Sequence, residues 1–381
     1  EISSSDWSSD VCSSDLSNPV FGTMSDATLV ANKTKSFFVV HTRVISEQAE
    51  AWKRQFGAVK PMIDLVATSQ KELLMELQNC GFPFYYNEKV YFDQVVDGLD
   101  RSKLAVIDLS SNTTEEYVAS LSKYGISAIA VESLEDTEVY SKVLPTVHFI
   151  LRVGATDAVY DSGCPASEVV HSLVAAQERG VNLSSLLFMC PTYKQAATII
   201  SLIRSLFNTS TVHLDSVYII GEGIQELAKR SDSESLSSFS SLKELAEKVP
   251  ILVDGSRFFI APTYTIYTHI IGKKYKTNGS ESRILYYTDN GVYCSFFNAH
   301  IADEVLTPVP VSVEQSLDDH REVFTSTIFG PTCDSIDNLG DSFALPELQI
   351  GDWLKYEGVG YRCSNYSARF NGFEDPDVIV V

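Results

Sequence analysis

Cysteine is scarce and scattered: seven in 381 residues, with no CxxC pair. That usage suits free thiols in a reducing compartment, and no metal site is expected. No run of eighteen apolar residues occurs, so no membrane span is expected. Basic residues are short too, with 29 Lys and Arg against 50 Asp and Glu and a formal charge of −21. So acidic a chain argues against nucleic acid and anionic membranes as partners. After Met24 there is no basic-then-apolar segment of the signal-peptide kind, and a cytoplasmic location is expected.

Periodicity is also missing at the start. Residues Glu1 to Thr23 repeat Ser-Ser-Asp without apolar spacing, and the run from Asp6 to Leu16 looks like one reading frame of a sequencing-adaptor oligonucleotide. Residues 1–23 are therefore read as a non-native tail, with Met24 as the native start. Setting them aside removes four acids and no base, which moves the formal charge from −21 to −17.

What remains is 44% hydrophobic over the whole chain, enough for a real core. Ser36 to Val40 is a strand candidate and Glu47 to Phe56 a helix. Strand-like runs then start at Met62, Phe82, Leu104, Ile126, Val147, Ser184, Leu214 and Pro250, with amphipathic stretches between them. Eight strand–helix units in roughly 200 residues is the arithmetic of a (β/α)8 TIM-like barrel. An open doubly wound sheet fits the alternation, but the count of eight favours closure. Beyond Pro262 the rhythm becomes short strands between turns, at Tyr264–Ile271, Arg283–Tyr287, Val292–Phe297, Trp353–Tyr356 and Val378–Val381, predicting an all-β C-terminal domain. Lys273–Arg283 and Pro308–Glu322 are polar and expected as surface loops. The domains are thus 24–43 as an N-terminal strand segment, 44–262 as the barrel and 263–381 as the β-domain.

The tail is dense in residues that helices and strands do not need: Gly330-Pro-Thr-Cys-Asp334, Leu345-Pro-Glu-Leu348, Gly351-Asp-Trp353 and Phe370-Asn-Gly-Phe373. This pattern resembles the C-terminal signature of ornithine decarboxylase and its relatives, pyridoxal-phosphate decarboxylases of alanine-racemase-like fold. The resemblance extends to Ser36–Ser69, including Trp52 and Pro61, and to Ile251–Lys274 and Gly291–Pro308. It implies a barrel followed by a β-domain that also takes the strand near Phe37–Val40. It further implies a dimer in which the Cys333-Asp334 pair reaches the partner's active site.

Pyridoxal phosphate needs a lysine for its Schiff base and groups to hold its phosphate and ring. The family's lysine ends the first barrel strand in a Pro-Phe-Tyr-Ala-Val-Lys-like segment. Here the segment is Pro61-Met-Ile-Asp-Leu-Val66, with Val66 in the lysine's place. Lys60 precedes the strand and Lys71 lies on the next helix, so neither is expected at the barrel mouth. The family's Asp after strand two corresponds to Phe84-Tyr85-Tyr86, and its ring-stacking His at strand six to a strand ending in Met189. Its triple-glycine phosphate loop is Gly221-Glu222-Gly223, which would set a carboxylate beside a phosphate. Its Glu-Pro-Gly-Arg is Asp254-Gly-Ser-Arg257, and its phosphate-binding Tyr is Arg362, with Tyr361 one place early. Its substrate-binding Asp is Ala302, adjoined by Asp303. Arg152, Asp254 and Arg257 are expected to survive as ion pairs and turn packing rather than as cofactor ligands.

No catalytic residue and no cofactor are therefore expected, and the resemblance is to an inactive paralogue. Such a chain is expected as a homodimer, or as a heterodimer completing an active paralogue's site. Tyr85, Tyr86, Phe188 and Met189 are expected near the mouth, where they either fill the emptied cofactor site, the favoured reading, or line a more apolar pocket for another small ligand. An antizyme-inhibitor role is an alternative, but the third and fourth barrel units read Asn112-Thr-Thr-Glu-Glu116 and Glu132-Ser-Leu-Glu-Asp136. Acid there would repel an acidic partner, so antizyme is not expected to bind. A divergent decarboxylase with residual ornithine or lysine activity is the remaining alternative.

Overall fold

Eight β-branched and aliphatic runs, alternating with helices, can be buried in an open sheet or in a closed barrel. In the computed structural model they close. The structure describes residues 25–86, 96, 99–100, 106–110, 114–124, 126–154, 162–209, 213–278, 281–302, 304–311, 322–363 and 367–381. The proposed tail at 1–23, Asn112, Thr113 and Asp303 lie outside them.

The barrel strands are β2 (Lys60–Asp64), β3 (Phe84–Tyr86), β4 (Val106–Asp108), β5 (Ala128–Val131), β6 (His148–Val153), β7 (Leu183–Met189), β8 (Ser216–Ile220) and β9 (Ile251–Asp254). All neighbours run parallel, and β9 returns to β2 with Met62 opposite Asp254. Alternate side chains point to opposite faces of a strand. Met62, Ile107, Ala130, Ile150 and Leu187 therefore fill the interior. Their neighbours Ile63, Ile129, Leu151, Phe188 and Ile219 face the surrounding helices.

The helical layer includes α2 (Val44–Phe56), α3 (Lys71–Asn79), α4 (Glu115–Leu121), α5 (Asp136–Ser141) and α6 (Val169–Arg179). It continues through α7 (Tyr193–Thr209), α8 (Gly223–Ala228), α9 (Ser233–Ala246) and α10 (Ser256–Ile260). A short α1 (Asp26–Val30) precedes them. An aromatic cluster ties α2 to α10: Trp52 stacks on Phe56 at 4.0 Å and meets Phe258 edge-on. The Trp52 indole N–H donates to the Val59 carbonyl at 2.8 Å, so the buried ring leaves no unpaired donor.

The second layer is an eight-stranded sheet ordered β12-β15-β10-β11-β13-β14, with β1 (Phe37–Val40) against β10 and β16 (Asp377–Val380) against β1. Its remaining strands are β10 (Tyr264–Asn278), β11 (Glu281–Thr288), β12 (Val309–Val311), β13 (Val323–Phe329), β14 (Asn338–Pro346) and β15 (Trp353–Glu357). The chain's first strand thus joins the C-terminal sheet.

Three local expectations are corrected. Lys273–Arg283 is not a loop but the outer part of the β10–β11 hairpin, with Lys276 opposite Arg283. Backbone pairing there continues past the buried register, so its side chains are polar. Within Pro308–Glu322, Val309–Val311 pairs with β15. Val292–Phe297 is not a strand but a turn leading into α11 (Phe297–Ile301). Side chains claim its amides: Val292 N–H donates to Asp337 and Ser295 N–H to Asn290.

Candidate functional site

The C-terminal ends of the barrel strands open into a cavity of about 260 Å³. Its apolar wall is Leu109, Ala130, Leu187, Met189 and Ile220, and its polar wall Tyr85, Arg152, Asp254, Tyr361 and Arg362. In this fold the strand ends and following loops carry the chemistry.

Strand alternation decides which expected residues reach this space. Tyr85 and Met189 do. Tyr86 and Phe188 point the other way, into the barrel–helix layer, where the Tyr86 hydroxyl lies 3.3 Å from that of Tyr117. The expectation that all four gather at the mouth is corrected by the period-2 pleat. The expectation that they fill it is corrected too, since space remains between them.

Val66 is buried two residues beyond β2, and its amide donates to the Asp64 carboxylate at 3.0 Å. Arg362 is fastened on both sides of it. Its amide donates to the Ala67 carbonyl at 2.9 Å, and its guanidinium pairs with Asp64 at 2.5 Å. Asp64 is almost fully buried; burial pushes its carboxyl up to about 6, against the downward pull of Arg362. Arg362 holds a left-handed φ of 57°, rare for a residue with a β-carbon. The segment can lie this close because Gly360 abuts α10; a β-carbon there would stand 2.1 Å from the Ile260 carbonyl oxygen. Lys60 is exposed at the opposite end of β2, and Lys71 is exposed in the first turn of α3.

Asp254 is occupied by its own loop and by Tyr85. The Tyr85 hydroxyl donates to it at 2.8 Å, the Ser256 amide at 2.9 Å and the Ser256 hydroxyl at 2.5 Å. Burial first, and then the Asp254 and Asp64 charges, push the Tyr85 phenol up, so it stays a neutral donor.

Arg257 is likewise committed. Its Nε donates to Glu222 at 2.6 Å, and its Nη1 pairs with Glu304. Its guanidinium also lies 4.6 Å from the Tyr361 ring centre, and that of Arg362 lies 5.2 Å from it. Gly221 and Gly223 have a packing reason. A β-carbon on Gly223 would meet the Thr192 carbonyl oxygen at 2.4 Å, and its amide already donates to Cys190 at 2.8 Å. Ala302 ends α11, and it is Glu304, absent from the sequence-based set, that reaches the site.

The Cys333-Asp334 turn is built on a residue the sequence did not single out. Asp337, 1% exposed, accepts the Val292 amide at 2.8 Å and the Thr332 amide at 2.9 Å. Gly291 and Gly330 leave room for it, since a β-carbon on either would stand 2.1 Å from its Oδ1. Cys333 is exposed, and the six cysteines from Cys80 to Cys363 are free thiols. Tyr293 donates to Asp334 at 2.6 Å and, with the Ile336 amide, holds its carboxyl below the usual carboxylate range.

A family model described as pyridoxal-dependent decarboxylase, C-terminal sheet domain, matches residues 36–360. The chain belongs to the ornithine decarboxylase family of these enzymes. It is 25% identical to the ornithine decarboxylase of Caenorhabditis elegans, over 90% of this chain and 86% of the relative. It is 24% identical to antizyme inhibitor 2 of Xenopus laevis, over 90% and 80%. In fold it is similar to the arginine decarboxylase of Paramecium bursaria Chlorella virus, with a TM-score of 0.75, 21% identity and coverage of 92% and 96%. Among the described residues no helix is long and apolar enough to cross a membrane, and no cluster of three metal-ligating side chains occurs.

Proposed function

We propose that this chain is a catalytically inactive member of its family, acting as a dimeric structural, regulatory or binding protein. One observation carries the reading. Where the family's lysine stands the chain has buried Val66, and the adjoining carboxylate Asp64 is paired with an arginine from the sheet domain. A valine forms no imine at any pH.

The other residues at the mouth do not fit pyridoxal phosphate either. Arg257, the phosphate-holding position, faces Glu222 and Glu304. The Gly223 amide is spent on Cys190, and among the described residues no histidine lines the cavity. A dianionic phosphate would have to displace two carboxylates from one guanidinium.

The role left to the Gly330–Asp334 turn is contact with a second subunit, its own copy or an active paralogue. The decisive experiment is an absorbance scan of the purified protein with added pyridoxal phosphate. No internal-aldimine band is expected; a band near the visible edge that borohydride removes would overturn the reading. A role in completing another chain's site is tested by mixing with an active paralogue: activity should rise, and subunits that never exchange would sink it.

A second reading has one observation behind it, the similarity to a relative named antizyme inhibitor 2. Against it stand Glu115, Glu116, Glu135 and Glu138, all exposed on α4 and α5 or immediately beside α5. An acidic partner would be repelled there. Capture of antizyme by the purified chain at physiological salt would favour this reading over the first.

A further inference from the structure

The cavity's wall groups select for a particular ligand chemistry. An apolar cavity of roughly 150 Å³ accepts benzene, so about 260 Å³ holds an aromatic ring with a short side chain. Leu109, Ala130, Leu187 and Ile220 supply an apolar bed for it.

The polar groups differ in how fully they are used. Asp254 accepts three hydrogen bonds from its own surroundings. Arg362 is held by Asp64. Among the described residues Arg152 has one ion pair, Nη1 with Glu132 at 3.2 Å, and its buried Nε has no hydrogen-bond partner there. The Arg152 side chain is otherwise 24% exposed and lines the cavity, so an acceptor brought by a ligand can reach its guanidinium there. Two guanidinium groups on the wall disfavour a cationic ligand. Asp254, on the same wall, disfavours a dianion more than a monoanion.

We propose that the barrel mouth binds a small monocarboxylate with an aromatic or branched aliphatic body. Its carboxylate accepts from the guanidinium of Arg152 where that side chain lines the cavity, and its body lies on Leu109, Ala130, Leu187 and Ile220. The guanidinium fork matches a planar carboxylate. The inference rests on the reading that pyridoxal phosphate does not take this space.

The test is calorimetric titration of the full chain near neutral pH with 3-phenylpropionate, its neutral isostere 3-phenylpropanamide and 3-phenylpropylamine. The acid is expected to bind, the amide at least roughly tenfold more weakly, and the amine not at all. Arg152→Gln should bring the acid down to the amide's affinity without a large shift in melting temperature. Leu109→Trp, at a half-buried wall position, should block the acid by bulk. Equal binding of acid and amide, full affinity in Arg152→Gln, or no binding of the acid up to ~10 mM would each overturn the proposal. A parallel absorbance scan with pyridoxal phosphate separates the two failures. An aldimine band defeats the inactive-site reading, whereas failure of the titration without a band defeats only the ligand class.

Discussion

Arg362 of the sheet domain and Asp64 at the end of the first barrel strand form a 2.5 Å ion pair across 298 residues of chain. The pair puts a fixed cation beside Val66, whose amide donates to the same Asp64 carboxylate. It also lines the barrel mouth from the β-domain side, where the Tyr361 ring lies 4.6 Å from one guanidinium and 5.2 Å from the other.

The pair gives a pH-dependent stability. Burial raises Asp64 from an ordinary value of 3.8 to about 6, so the folded state holds its proton more tightly than the unfolded chain. The stability from that protonation is full below the unfolded value and is lost as pH rises through the folded one. Without Arg362 the charged form loses its partner, and the folded value moves higher still. Arg362→Met should therefore cost about 3–5 kcal/mol above pH ~7 and clearly less near pH ~5, by urea unfolding at the two pH values. Equal losses would mean that Asp64 does not change its charge between the two pH values.

The glycines after β8 answer a different question, whether they serve a phosphate or the fold. Gly223→Ala forces a β-carbon against the Thr192 carbonyl and the Cys190 sulfur, at 2.4 and 2.6 Å. Overpacking of that kind costs about 1–3 kcal/mol. The melting temperature should fall by the same amount with and without added pyridoxal phosphate. A loss seen only with the cofactor present would return these glycines to phosphate binding.

How much of this was legible in the sequence follows from which interactions are local. The eight barrel strands stood out because buried parallel strands are short runs of Val, Ile, Leu and Phe between helix patterns. Tyr85 and Tyr86 are adjacent and chemically alike, and composition does not say which faces inward; one residue of register decides it. Arg362 was visible as a replacement, but its partner lies in another domain, and no spacing rule joins residues 298 apart. Asp337 carries no motif that singles it out in the sequence. The available signal was the pair Gly291 and Gly330, two glycines whose missing β-carbons make room for one buried carboxylate.

Asp337 should matter more than the exposed Cys333 and the half-buried Asp334 it supports. Its carboxylate satisfies two amides in a nearly closed site, and hydrogen bonds to a charged group contribute about 1.5–3 kcal/mol each. Asp337→Ala should destabilise the chain by about 2–4 kcal/mol. If the turn forms a subunit contact, the same variant should shift the sedimentation profile toward monomer. Cys333→Ala should leave the melting temperature nearly unchanged, because that side chain is exposed.

On the inactive reading, a lysine placed at position 66 should not by itself make a working cofactor site. Val66 is 6% exposed, and the nearest described carboxylate, Asp64, is already held by Arg362. Val66→Lys would bury a second cation beside the first, which lowers the ammonium's pKa and costs stability. With Arg362→Tyr added, Asp64 is released to the new lysine, and the double variant should be more stable than the sum of the two single losses predicts. A coupling of more than ~1 kcal/mol in the double-mutant cycle is the expected outcome. Glu222 and Glu304 still hold Arg257 in that variant, so no borohydride-sensitive band should appear with pyridoxal phosphate until Glu222 is also replaced by glycine. A band from Val66→Lys alone would mean that the missing lysine was the site's single defect.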